Sequence, residues 1–151
     1  MMSQLSVEAR AETKAPVELV WSMVSDATRY AVWGPWTESG YQSPGVEDPK
    51  GVGTTRWMKL GRTRTVEKIL EFEPVQRIAY TVVSGIPVRN YRAEVVLNSN
   101  SGGTAIRWSA TWDNTLLGRV VHRRLATFYP TMVRQLANAA DRDWSANASG
   151  G

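Results

Sequence analysis

The chain has 151 residues, no cysteine, 42% apolar side chains and a formal net charge of +4. That length suits one domain burying roughly 70% of the surface its unfolded chain exposes, and the lack of cysteine excludes disulfides and thiolate metal sites. The opening MMSQLSVEAR lacks an apolar h-region and no apolar run reaches the about 18 residues of a membrane span, so neither signal peptide nor stable membrane insertion is predicted and a cytoplasmic location is expected.

Leu5, Val7, Ala9 and Ala11 alternate with Ser6, Glu8, Arg10 and Glu12, which predicts a half-buried first strand with a charged outer face. Pro16 suits the start of a helix carrying the stripe Val17, Val20, Trp21 and Val24. Asp26 is placed to cap a second short helix that ends near Trp33, where Gly34-Pro35 stops it. Residues 37–51 are rich in Gly, Pro, Ser and acids and read as a loop holding a short edge strand.

Gly51-Val52-Gly53 opens a strand that runs to Leu60 and meets another from Thr63 at Gly61-Arg62, a two-residue hairpin in which Leu60 faces Thr63, Trp57 faces Val66 and Arg56 faces Glu67. One face holds Trp57, Val66, Leu70 and Phe72 with Lys59, Arg64 and Lys68; the other holds Met58 and Ile69 with Arg56, Glu67 and Glu71. The larger apolar content places the first face inward, leaving Arg56 and Glu67 as an exposed ion pair. The opposite facing would bury that pair, and a buried charged pair demands a function.

Pro74 marks a turn, followed by strands through Ile78, Tyr80 and Val82, through Tyr91, Ala93, Val95 and Leu97, and through Ile106, Trp108, Ala110 and Trp112. A long helix then runs from Thr115 to about Asp141, because Leu117, Val121, Leu125, Phe128, Met132, Leu136 and Ala139 recur at steps of three and four. Arg119, Arg123 and Arg134 fall opposite, and Asp113 or Thr115 can cap its start. Pro130 lies inside it and predicts a kink. One domain over 1–143 and a frayed tail over 144–151 are expected.

Six basic residues between Lys50 and Lys68 face Glu67 as the sole acid, a spot that a solvated hairpin explains. No zinc-finger spacing, helix-turn-helix or aromatic nucleic-acid motif accompanies it, so no nucleic-acid partner is expected. His122 is the only histidine, which excludes a histidine-rich metal site. No phosphate loop, paired-carboxylate site or Ser-His-Asp pattern is present, and no metal or organic cofactor is expected.

The order of elements resembles the helix-grip fold. Ala15-Pro16-Val17-Glu18 leading to Val20-Trp21, Ser25-Asp26, and Tyr30 with Trp33 resembles the opening of the START-like polyketide cyclase/dehydratase superfamily. Gly51-Val52-Gly53, Glu67, Pro74, Gly85-Ile86-Pro87, Tyr91 and Gly102-Gly103-Thr104 running to Trp108 extend the resemblance from about Val7 to Ala139. It implies an α+β fold, in which a curved antiparallel sheet of six to seven strands, with two short helices after the first, wraps a long C-terminal helix. It also implies a cavity between sheet and helix. Lys68 occupies the place of a cyclase cavity arginine, keeping the charge without the planar fork.

Candidate ligand-binding residues are the aromatic and adaptable side chains aimed at that space: Trp33, Trp36, Trp57, Tyr80, Tyr91, Trp108, Trp112, Phe128, Tyr129 and Met132. Ordinary core packing is the competing reading of each. Candidate catalytic residues are Lys68, an amine whose pKa burial would lower, Tyr80, which would polarise a carbonyl, and His122, a general acid or base near neutral pH. A snorkelling lysine and a helix-flank histidine are the structural alternatives.

These features predict a protein that binds a hydrophobic, aromatic or polyketide-like molecule and cyclises or dehydrates it. The alternative is a lipid or metabolite carrier, or a sequestering resistance protein, without turnover. A third reading is an interaction protein with a filled core. An acidic acyl carrier protein would dock on the basic hairpin through Lys59, Arg62 and Arg64.

Overall fold

A computed structural model describes residues 3–149. Strand β1 (Gln4–Thr13) is followed by helix α1 (Val17–Val24), a 3₁₀ turn (Ala27–Arg29) and the one-turn helix α2 (Tyr30–Trp33). Strands β2 (Glu38–Ser43), β3 (Thr55–Leu60), β4 (Thr63–Glu73), β5 (Arg77–Ser84), β6 (Arg92–Asn100) and β7 (Gly103–Asp113) come next, and helix α3 (Leu116–Ser149) closes the chain. The seven strands form one antiparallel sheet in the order β1-β7-β6-β5-β4-β3-β2. Only β1 is paired out of sequence, against β7 in full register from Gln4 with Asp113 to Thr13 with Thr104. This is the α+β helix-grip arrangement: the sheet's concave face holds α3, and the short helices close the end between β1 and β2.

Local chemistry places the ends. Asp26 Oδ1 accepts from the Thr28 backbone N–H at 3.0 Å and starts the second short helix, while Gly34 N–H closes it on the Tyr30 carbonyl. Thr115 is the cap of α3, its Oγ1 accepting from Gly118 N–H at 2.9 Å. Gly61 adopts a φ of +62°, which suits the first position of a two-residue hairpin turn, and the predicted pairs Leu60 with Thr63, Trp57 with Val66 and Arg56 with Glu67 all form.

The facing of that hairpin is opposite to expectation. Arg56, Met58 and Ile69 are buried on the concave side, whereas Lys68 is exposed, Leu70 is 37% exposed and Trp57 lies half-buried on the convex side beneath the Arg64 guanidinium. Charge decides it: Arg56 and Glu67 neutralise each other in the interior, while an inward Lys68 would have no partner. A bulge between Ile69 and Glu71 then shifts the alternation, so Ile69 opposite Tyr80 and Phe72 opposite Ile78 both turn inward. Glu71 is left outside, in an ion-pair group with Arg77 and Arg92.

Helix α3 buries Val121, Tyr129, Met132, Val133, Leu136 and Ala140 against the sheet. Leu117, expected on this face, is 56% exposed, because the first turn touches the sheet through Gly118, whose carbonyl accepts from Trp112 Nε1. The helix continues through Pro130, which with Ala126 faces solvent, so the carbonyl left without its N–H partner is open to water. It also runs past the expected stop near Asp141 to Ser149. Residues 131–148 contain no glycine or proline to end it, and extending a formed helix fixes one residue per hydrogen bond gained. No described helix is long and apolar enough to cross a membrane.

Candidate functional site

Arg56 is the most heavily buried charge, with its side chain 1% exposed. Strand β3 directs it beneath the end of α1. Its Nε donates to Glu67 Oε1 at 3.1 Å and its Nη1 to the Val24 carbonyl at 3.3 Å. Tyr30 and Tyr80 stand beside the guanidinium, with ring centres 4.8 and 5.0 Å from its carbon. Nη2 is buried and has no hydrogen-bond partner.

Rings extend from this cation in two directions. Toward α2, Tyr30 contacts Trp33 and Trp36 at 5.0 and 5.4 Å, and Trp36 reaches Phe128 on α3 at 5.8 Å. Tyr30 Oη donates to the Val24 carbonyl, and Trp33 Nε1 to that of Met23, which fixes both rings on backbone. Toward the sheet centre, Trp108 Nε1 donates to Tyr80 Oη at 3.0 Å. Farther along, Tyr91 is hydrogen-bonded hydroxyl to hydroxyl with Tyr129 and stacks on Trp112 at 5.7 Å.

Burial governs the protonation of this lining. It pushes the Tyr30 phenol up to about 12, and raises Tyr80, Tyr91 and Tyr129 as well, so all four are neutral donors over the physiological range. Burial also raises the Glu67 carboxyl, against the opposing pull of Arg56. Burial works against the charge on Arg56, but the Glu67 carboxylate hydrogen-bonded to its Nε favours it, and the guanidinium stays protonated. The result is a cation, neutral phenols and a carboxyl of raised pKa inside an aromatic shell. Such a set can donate to a carbonyl or enolate oxygen and exchange a proton nearby.

The three candidate catalytic residues do not come together. Tyr80 lies beside Arg56; Lys68 is exposed on the convex face; His122 sits on the flank of α3, with Nε2 3.0 Å from the Ser6 carbonyl. Because a carbonyl only accepts, that nitrogen carries the proton. Of the candidate ligand residues, Trp33, Tyr80, Tyr91, Trp108, Trp112, Tyr129 and Met132 are buried on the grip side, Trp36 and Phe128 meet at its edge, and Trp57 is outside. Arg56, Glu67 and Tyr30 are the residues that sequence reasoning missed; the signal was the opposed cross-strand pair Arg56 and Glu67. Among the described residues no group of three or more metal-ligating side chains gathers.

Two concavities of about 600 and 550 Å³ lie along Arg10, Glu12, Asn98 and Arg107 and around the β4–β5 turn at Val75, both outside the grip. Between sheet and α3, the fully buried Trp108, Trp112, Met132 and Leu136 occupy the interior.

Solved structures of similar fold include the Zhui aromatase/cyclase of a Streptomyces species, with a TM-score of 0.76 and 14% identity over 93% of this chain and 95% of that one. A Thermobifida fusca protein superposes with a TM-score of 0.74 and 22% identity, covering 91% and 93% of the two chains. The Bacillus cereus protein XoxI gives 0.70 and 15%, covering 91% and 95%. At these identities the likeness is one of fold. No curated protein matches this chain. The family profile for polyketide cyclase / dehydrase and lipid transport matches residues 4–142, nearly the whole fold with Arg56, Glu67 and the aromatic shell inside it, and the chain belongs to that family.

Proposed function

We propose that the protein binds a hydrophobic, flat, oxygen-bearing molecule of aromatic or polyketide type between the sheet and α3, the packed rings there parting to admit it, with Arg56 as the anchoring donor. One observation carries this: Arg56 Nη2 is buried, charged and unpartnered, at the centre of the aromatic shell. An orphaned buried donor costs about 1–3 kcal/mol, and a ligand oxygen would remove that cost. The molecule would enter where Trp36 meets Phe128, since that contact joins the short helices to α3 at the edge of the grip.

Binding without turnover is the first reading, because Lys68 points away and the protonated nitrogen of His122 is committed to Ser6. Cyclisation or dehydration is the second. It is favoured by Glu67, whose raised pKa fits proton exchange beside the Arg56 cation, and by the Tyr80 hydroxyl. A substrate on an acidic carrier would be delivered at the exposed hairpin bearing Lys59, Arg62 and Arg64.

Tryptophan fluorescence titration with a hydroxylated polycyclic aromatic tests the binding reading. Saturable quenching is expected, weakened at least about tenfold in Arg56→Met for the loss of one charged hydrogen bond. Equal affinity in both proteins would remove Arg56 from the site. Following the bound compound by mass spectrometry separates carriage, which returns it unchanged, from loss of water.

A further inference from the structure

The outer face of α3 changes character along its length. Residues at the solvent-facing steps are Leu116, Val120, Arg123, Thr127, Thr131, Arg134 and Asn138, so the face is aliphatic at its start and polar afterwards. Leu116, Leu117 and Val120 are 72%, 56% and 53% exposed within two turns, although other positions there would satisfy the helix with polar side chains. Arg119, Arg123 and Arg124 surround them, also exposed. Arg89 joins from the β5–β6 connection, held against the helix start by the Asp113 N–H bond to its carbonyl at 2.9 Å.

No acid balances this group along the helix. Between Asp113 and Asp141 the sequence contains no Asp or Glu, and Asp113 itself is buried and accepts from Asn90 Nδ2. Arginines in the first turns also oppose the helix dipole, which favours acids there. Local stability therefore accounts for neither the exposed aliphatics nor the cations among them. Aliphatic side chains projecting among arginines match a surface with anionic headgroups over hydrocarbon.

The geometry points to the N-terminal turns of α3, with Arg89, as the surface by which this protein docks peripherally on an anionic lipid bilayer. Leu116, Leu117 and Val120 enter the headgroup–acyl boundary, and Arg89, Arg119, Arg123 and Arg124 meet the phosphates. The helix does not cross the bilayer, since its opposite face is committed to the sheet. This docking stands apart from the ligand reading and does not depend on Arg56.

Cosedimentation of the full chain with vesicles tests it, using phosphatidylcholine alone and phosphatidylcholine with about a third phosphatidylglycerol, at roughly 0.1 M salt. Binding to the anionic vesicles only is expected. Arg123→Gln with Arg124→Gln should weaken it about 25-fold, at about fivefold per arginine. Leu116→Asn with Leu117→Asn, which leaves the charge unchanged, should weaken it at least about tenfold. Arg62→Gln with Arg64→Gln removes the same charge from the β3–β4 hairpin and should leave binding within about twofold. Equal binding to neutral vesicles, no binding to either, or an equal loss in the hairpin variant would overturn the proposal. So would a dimer in size-exclusion chromatography that the leucine variant dissociates, since a second copy would then cover the patch, or retention by an immobilised acidic protein without retention by vesicles. Circular dichroism of each variant confirms that its helix is intact.

Discussion

Replacing Arg56 by methionine removes a cation that is 1% exposed and leaves Glu67, 13% exposed, facing the interior without its partner. Breaking a buried pair from one side costs about 3–5 kcal/mol, because the surviving charge has lost both water and counter-ion. At about 2–4 °C per kcal/mol for a domain of this size, the midpoint should fall by roughly 10 °C. The double variant Arg56→Met with Glu67→Leu removes both charges and puts apolar volume in their place, so its stability should return to within about 1 kcal/mol of the parent. Urea unfolding followed by tryptophan fluorescence measures both variants, and the cycle reads the coupling directly. A single variant that loses less than about 1 kcal/mol would refute the buried-pair account. The double variant also separates structure from function: it should fold well and still bind the aromatic ligand as weakly as Arg56→Met. Recovery of full affinity along with stability would show that Arg56 serves the fold alone.

Alkali tests the buried phenols. Their folded pKa values lie above the unfolded value, so the stability they contribute is complete below about pH 10 and is lost as pH rises through the folded values. For Tyr30, raised to about 12, the loss is about 3 kcal/mol across that window, and denaturant midpoints measured between pH 9 and 12 should fall steeply. A flat profile would mean that the phenols are hydrated. Thr115→Ala should cost about 1 kcal/mol by releasing Gly118 N–H, read as a shift in urea midpoint with unchanged slope. Gly118→Ala should cost about 1–3 kcal/mol, because the added Cβ would lie 2.6 Å from the Asp113 carbonyl oxygen and 3.2 Å from the Trp112 ring. Lys68→Met should change stability by under about 0.5 kcal/mol and leave ligand affinity unaltered; a large loss of affinity would return Lys68 to the site.

The sequence alone determined the order of elements, because strand and helix periods are properties of consecutive residues. Ile106 to Trp112 read as a strand and Val121 to Ala139 as a helix before any partner was known, and Gly61-Arg62 set the pairing of β3 with β4. Most of the aromatic lining was legible for the same reason: once a strand's inward phase is fixed by several apolar residues, Tyr80, Trp108 and Trp112 follow. The buried cation was not. Along 55–72 both faces carry charges and apolar groups, so alternation gives the pairing without saying which side is inside. That choice depended on the match of Arg56 with Glu67 in the interior and on the bulge that lets Ile69 and Phe72 share a face. Only the tertiary structure brings Tyr30, from the start of α2, beside Tyr80 with the guanidinium between them. A buried charge is stable only among partners distant in sequence, and local periodicity holds no record of them.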